Sequence, residues 1–443
     1  MDREGTTVPA PSRSSGLIGA LKQTTFRSLR HRNYRRYFFG QIVSFTGTWM
    51  QSAALMWLLY DHTHDMRWPS YLLVAQVGPT VLFGPWGGSL ADRAAKRRLI
   101  MTTQAAFLLN AIVLTVLVGG GWIVPGLILA LQMLNGVVQA VDLPARLAFL
   151  PDLVPKDDLI NAVGLNSMLF NTARATGPAA AGLLFLSAGE LASSFDKSPV
   201  QFGAMCCFAL NAVSFVAVLI ALNGIHVPGE SNRASGRAAG SMLDGIRYLA
   251  ANHRLGGLVL LTLVLCIFAW PTLTLFPGFT KERLHRAEGT YSVLVSALGG
   301  GALCAALAQA TFGSAARRGK FLVVGAAFAA AGIGGLAAVA NLPAAVACAA
   351  AVGFGLILFL STGQSTLQLA VPDETRGRVM ALWAMTLSAS APLGHLIAGQ
   401  AADAFGLKPV LIAMAAGSAF VAAALLAIRL SVYHGRNEVR YER

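Results

Sequence analysis

Twelve runs of predominantly apolar residues, each about 20 long, follow one another along this chain and are separated by short polar loops. They lie near 37–60, 71–91, 99–118, 124–146, 159–186, 202–222, 255–276, 292–312, 321–340, 343–369, 380–402 and 409–429. In hydrocarbon every backbone N–H and C=O must be paired, which an apolar run of about 20 residues achieves as a helix long enough to cross, so each run is read as a membrane-crossing helix. Composition agrees: 55% of residues are hydrophobic and 12% charged, with a mean hydropathy of +0.60, where a soluble domain carries about 25% charge. The expectation is an all-α polytopic membrane protein with 12 transmembrane helices, and a soluble globular fold is excluded.

The formal charge of +14 has its own distribution. With an even number of spans both termini share one side, and that side collects 27 Lys and Arg residues; the other side has only Arg67, Lys197, Lys281, Arg283, Arg286 and Lys408. Positive residues accumulate on the cytoplasmic side of membrane proteins, so the charge predicts cytoplasmic termini and does not indicate a nucleic-acid partner. The polar, basic N-terminus has no short apolar core with a small-residue cleavage site, so the first span is expected to serve as an uncleaved signal. Cys206, Cys207, Cys266, Cys304 and Cys348 are odd in number and embedded in apolar runs, which predicts buried thiols with neither a disulfide framework nor a metal.

Five segments follow: an N-terminal tail at 1–36, a six-helix half at 37–222, a linker at 223–254, a second six-helix half at 255–430 and a tail at 431–443. Within the linker, Ser241 and Asp244 stand at a capping distance. Met242, Leu243, Ile246, Leu249 and Ala250 then fall on one helical side, which predicts a short amphipathic helix on the cytoplasmic face; a disordered linker is the alternative. Pro151-Asp152 before the fifth span and Pro372-Asp373 before the eleventh, with Gly177…Gly182 and Gly394…Gly399 late in the same spans, suggest that the halves repeat in parallel.

Polar residues recur at helical spacing in a few spans only. Span one has Gln41, Ser44, Thr48 and Gln51; span four has Gln132, Asn135, Gln139 and Asp142; span five has Ser167, Asn171 and Arg174; span ten has Ser361, Gln364, Ser365 and Gln368. Amides are costly in hydrocarbon unless they face water or a partner, so these stripes predict a substrate cavity walled by spans one, four, five and ten; interhelical hydrogen bonding is the competing explanation. Spans three, six, nine and twelve carry only scattered Asn110, Asn211 or Ser418, as lipid-facing helices would.

Three ionisable residues stand out. Asp142 is an intramembrane acid, a candidate for a conformational ion pair or for carrying a proton. Arg174, the only cation assigned to the interior of a span, has no acid at its depth and needs carbonyls, amides, water or a ligand anion. It would attract an anionic or phenolic substrate, repel cations, or serve only as scaffold. His395 is either a hydrogen-bonded structural residue or a proton carrier.

Gly88-Ser89-Leu90-Ala91-Asp92-Arg93-Ala94-Ala95-Lys96-Arg97-Arg98 resembles the loop signature of the major facilitator superfamily, with Ala95 and Lys96 departing from it. The resemblance implies a latch of Gly88, Asp92, Arg93, Lys96 and Arg97, in which the small residue meets the neighbouring half, Asp92 caps a facing helix and the cations pair with acids of their own half such as Asp142. Gly177-Pro178-Ala179-Ala180-Ala181-Gly182 resembles the superfamily's antiporter motif, whose Gly177, Pro178 and Gly182 would allow close approach to a helix of the other half. Together with Asn33-Tyr34-Arg35-Arg36-Tyr37, Trp49-Met50-Gln51 and Val371-Pro372-Asp373-Glu374…Arg376-Gly377-Arg378-Val379, these segments resemble the transmembrane secretion effector group of bacterial efflux facilitators over about residues 22–430.

That resemblance implies the major facilitator fold in a bacterial inner membrane, and a monomer exporting a drug-like, siderophore-like or other amphiphilic, anionic or neutral molecule by alternating access, with protons as the coupling ion. No cofactor is implied. A lipid or lysophospholipid carrier on the same fold and a non-transporting sensor or scaffold are the alternatives. Enzyme activity is not expected, since HExxH, GxSxG, GxGxxG and P-loop patterns do not occur.

Overall fold

The computed structural model describes residues 26–225, 242–286, 288–312 and 317–441, with side chains beyond Ile428 and at a few internal positions left undescribed. The N-terminal tail to residue 25 and linker residues 226–241 lie outside the described residues. The chain forms α1 (Arg32–Thr63), α2 (Arg67–Arg93), α3 (Lys96–Gly119), α4 (Pro125–Leu153), α5 (Leu159–Ser194) and α6 (Pro199–Asn223). After the linker come α7 (Met242–Ala251), α8 (His253–Ala269), α9 (Thr272–Gly278) with a π turn at Phe279–Arg283, α10 (Glu288–Phe312), α11 (Arg318–Ala338), α12 (Leu342–Ala370), α13 (Asp373–Phe405) and α14 (Leu407–Tyr441).

Local chemistry sets several of these ends. Ser198 accepts a hydrogen bond from the Gln201 amide at 3.1 Å ahead of Pro199, and Asn341 accepts one from the Ala344 amide at 3.0 Å, so each caps a helix where intrahelical acceptors are missing. Gly406, at φ +82°, turns the chain between α13 and α14 in a region that a Cβ would strain. Trp270 and Pro271 interrupt the seventh arm, because proline cannot donate to the preceding turn; α8, α9 and the π turn are its three pieces.

Among the described residues, ten helices are long and apolar enough to cross a membrane. α2 and α5 are not among them. Proline, glycine and polar residues dilute their hydropathy, yet at 27 and 36 residues both run the depth of the bundle. The helices also extend past the apolar runs: the fourth reaches Leu153, through Pro144 and Pro151, whereas its apolar run ends at 146. Exposed apolar side chains such as Leu109, Val116, Val213, Ile220 and Phe420 cover the outside, a surface that suits lipid.

Packing repeats across the two halves. α2 packs on α4 as α10 packs on α12; α1 packs on α5 and α6 as α8 packs on α13 and α14; α3 packs on α4 and α6 as α11 packs on α12 and α14. The halves meet through α5 on α10 and α2 on α13, which are equivalent pairs under the same repeat. This is the major facilitator architecture. α7 lies beside α13, where Asp244 is 3.4 Å from Arg378.

Candidate substrate cavity and the seal between the halves

The hydrogen bonds and ion pairs described between the halves sit at the end away from the termini. Asp61 Oδ1 is 3.0 Å from Lys281 Nζ, the Tyr60 hydroxyl donates to Glu282 at 3.1 Å, the Gln400 amide donates to the Tyr71 hydroxyl at 2.6 Å, and Arg67 Nε lies 3.5 Å from Asp403. Deeper in, Trp57 and Tyr291 bring their rings to 5.4 Å and the Tyr291 hydroxyl meets the Met56 sulfur at 3.5 Å. This distal end is therefore closed.

At the terminal end the ties described lie within a half: Asp244 with Arg378 in the second, and a larger set in the first. Arg97 donates to the carbonyls of Leu222 and Asn223, Arg36 to that of Gly224, and Lys96 lies 2.8 Å from Asp152. Asp158 draws in the segment before α1, through an ion pair with Arg27 and a 2.6 Å contact with His31 Nε2. Hydrogen bonding from His31, together with the Arg27 charge, holds the Asp158 carboxyl below the usual carboxylate range.

Two adjoining cavities, about 290 and 280 Å³, open within the N-terminal half and share Phe45, Gln139, Arg146 and Phe170 as walls. Thr48, Gln51, Gln132, Asn135 and Gln139 of the polar stripes line the first, with Gln76 and Asn211; Gln139 and Asp142 line the second. Phe45, Trp49, Phe107, Phe170 and Phe215 supply its apolar walls. The amides are held in order: Gln76 donates to Gln132 at 3.0 Å and Asn211 donates to Gln51 at 2.8 Å.

Several expectations need correction. Gln364 and Gln368 are exposed and line neither of these two cavities, both of which lie in the N-terminal half. Gln41 is fully buried behind the wall, accepting from Arg146. The side chains of Asn171 and Asp92 lie outside the described residues. Asn110 and Asn211 are not scattered lipid-side residues: Asn110 is within 3.4 Å of Gln132, and Asn211 is wholly buried beside Gly47.

Asp142 does not pair with the loop cations in this conformation. Its partner is Arg146, one turn on, with Oδ2 to Nε at 2.5 Å; Thr103 and Gln104 donate to Oδ1 at 2.5 and 3.1 Å. Arg146 stands inside the helix, and Phe45 covers its guanidinium at 4.9 Å. The count of 27 terminal-side cations includes it, because the apolar run ends there. Its spacing of four from Asp142 was the signal that places both on one face. Moving it leaves 26 cations on the terminal side.

The latch segment is only partly engaged. Lys96 binds an acid of its own half, Asp152 and not Asp142, while Arg93 is exposed. A Cβ at Gly88 would meet nothing within 4 Å; Gly87 is the tight position, against the Ala140 carbonyl of α4. The antiporter motif divides. Gly177 packs within its own half, where a Cβ would come within 2.5 Å of Trp49 Cβ, and Gly182 faces Ser292 of the other half at 2.6 Å. Pro178 between them is buried. His395 is buried in the second half and within 3.2 Å of the Thr274 hydroxyl, which also meets the Pro271 carbonyl.

Arg174 is buried but not in the cavity wall. Its guanidinium lies 5.1, 5.5 and 5.6 Å from the ring centres of Trp49, Phe170 and Trp270, and its Nε has no acceptor among the described residues. Trp49 and Phe170 separate it from the cavity that they line.

Comparison with known proteins agrees with this architecture. The profile of the transmembrane secretion effector family matches residues 23–441. The chain is 30% identical over 190 residues to the staphyloferrin A transporter of Staphylococcus aureus, a match spanning 42% of this chain and 44% of that protein. It is 24% identical over 382 residues to the multidrug efflux pump Tap of Mycolicibacterium fortuitum, spanning 85% and 90%. A solved bacterial homologue of the human lysosomal transporter Spinster, in an inward-facing and unoccupied conformation, superposes with a TM-score of 0.69 at 14% identity, over 90% of this chain and 97% of that one. The chain belongs to the transmembrane secretion effector family, a family of multi-pass membrane transporters, not enzymes.

Proposed function

We propose that this transmembrane secretion effector exports a neutral or anionic amphiphilic small molecule across a bacterial inner membrane, by alternating access of a 12-span monomer with cytoplasmic termini and inward proton flow. The observation that carries the reading is a bundle whose halves are joined at one end by hydrogen bonds and ion pairs, whose ties described at the other end lie within a half, and whose N-terminal half holds a cavity of amides and aromatic rings. The basic bias of the terminal side supports placing that open end in the cytoplasm.

Cavity chemistry supports the substrate class. Ordered amides donate and accept, the rings offer apolar faces, and the acid at the cavity edge is neutralised by Arg146, so a cation finds no free carboxylate there. Proton coupling at Asp142 has a physical route: protonation would release Arg146 and leave Thr103 and Gln104 to bind the neutral acid. His395, bonded to Thr274 in the other half, is remote from that network and is the weaker candidate.

Metabolite profiling of culture medium tests the reading without presupposing the compound. A deletion strain should lose, and an overexpressing strain gain, one chemically related set of extracellular compounds, and a protonophore should abolish the difference. Identical media from the two strains would refute it.

A further inference from the structure

A buried guanidinium normally finds a carboxylate, and Arg174 has none among the described residues. It is 9% exposed, its Nε lacks an acceptor, and what surrounds it is aromatic: Trp49 and Phe170 from one half, Trp270 from the other. Ring faces attract a cation, but they cannot accept in-plane N–H bonds as oxygen does.

The seam beside it is poor in acceptors too. Gly299 of α10 presses on α5 at Ala175 and the Arg174 carbonyl, and Ser292 faces Gly182. Ser296 lies one turn from Ser292 and three residues before Gly299, hence on the same helix face. The Ser292 and Ser296 hydroxyls have no hydrogen-bond partner among the described residues. A cation and two hydroxyls therefore line one contact between the halves, with no described acid among them.

From this geometry we infer that Arg174 is an anion subsite at the seam, screened from the cavity by the Trp49–Phe170 pair and reached when that pair parts, and that it takes the carboxylate of an aromatic or flat apolar acid. The inference rests on the export reading and narrows its substrate to acids. Trp49 and Phe170 line the 290 Å³ cavity, stand over the guanidinium and pack edge to face with ring centres 5.8 Å apart, so a flat acid that takes the place of one ring against the other would bring its carboxylate toward Nε. Trp270 closes the guanidinium from the other half, so movement of the halves changes how well the anion is held.

The test uses the purified full chain in nanodiscs, with sodium benzoate as the probe and benzamide as its uncharged counterpart. Benzoate should raise the unfolding midpoint saturably by about 2–4 °C while benzamide does not. Arg174→Gln should abolish the shift, and Arg174→Lys should keep it at about tenfold weaker affinity, because a point charge replaces a planar fork. Absence of a benzoate shift in the wild type, an equal shift with benzamide, or an undiminished shift in Arg174→Gln overturns the site. Should Arg174→Gln fail to fold, Arg174→Lys decides, and unchanged benzoate affinity there overturns it. A full benzoate response in a protein that exports nothing would refute the export reading and leave the subsite standing. Export without any benzoate response would do the reverse.

Discussion

Asp142 Oδ2 lies 2.5 Å from Arg146 Nε within one turn of α4, and this pair anchors the polar interior of the N-terminal half. Thr103 and Gln104 hold the acid from α3, and Gln41 accepts from the arginine on α1, so three helices converge on one buried charge pair.

Breaking that pair should cost more than removing it. Asp142→Asn leaves Arg146 buried without its counter-charge, an expected loss of about 3–5 kcal/mol. The double variant Asp142→Asn, Arg146→Gln should be more stable than the single one in a detergent melt. Equal melting of the two would mean that the pair is already hydrated.

The two glycines of the antiporter motif should respond differently. Gly182→Ala brings a Cβ to within 2.6 Å of Ser292 Cβ across the seam, and Ser292→Gly should restore transport in the double variant. Gly177→Ala crowds Trp49 and the Thr46 carbonyl of its own half, costing about 1–3 kcal/mol of stability that Ser292→Gly does not recover. Rescue of both by Ser292→Gly would contradict the division.

The distal seal should be sensitive to charge order but only modestly. Asp61 and Lys281 are partly exposed, so Asp61→Asn should shift the balance between conformations by about fivefold or less. The exchange Asp61→Lys with Lys281→Asp should return labelling of a reporter cysteine at Thr48 toward wild type. A swapped protein that labels like Asp61→Asn would show that the pair does not bias the seal.

Acid should loosen the segment before α1. Asp158 has a lowered pKa in the folded protein, so its contribution is complete above the ordinary Asp range and disappears as pH falls through the lowered value. Hydrogen exchange at residues 26–31, followed as pH is lowered through and below the ordinary Asp range, should accelerate at the acid end, and Asp158→Asn should be fast throughout. A profile unaffected by Asp158→Asn would place the tether elsewhere.

Orientation is open to direct measurement. In a background lacking the five native cysteines, Ser235→Cys should resist a membrane-impermeant thiol reagent in intact cells while His285→Cys reacts. The reverse pattern would invert the topology.

The sequence by itself determined the membrane solvent, the all-helical class and the parallel repeat, because apolar run length and motif position are properties of the chain alone. It also put Gln132, Asn135 and Gln139 on one face of the fourth helix, and Thr48 with Gln51 on one face of the first, since helical spacing alone does so. Only the tertiary structure decided who meets whom. Arg146 read as a loop cation because hydropathy falls where its helix continues, Asn211 read as isolated because its partner Gln51 is 160 residues away, and Gly177 read as facing the other half until Trp49 and Thr46 were seen against it. The cage around Arg174 is of the same kind: Trp49, Phe170 and Trp270 converge from three helical arms, and rotation about a helix axis together with the approach of the halves, neither written in local spacing, sets which rings close on the charge.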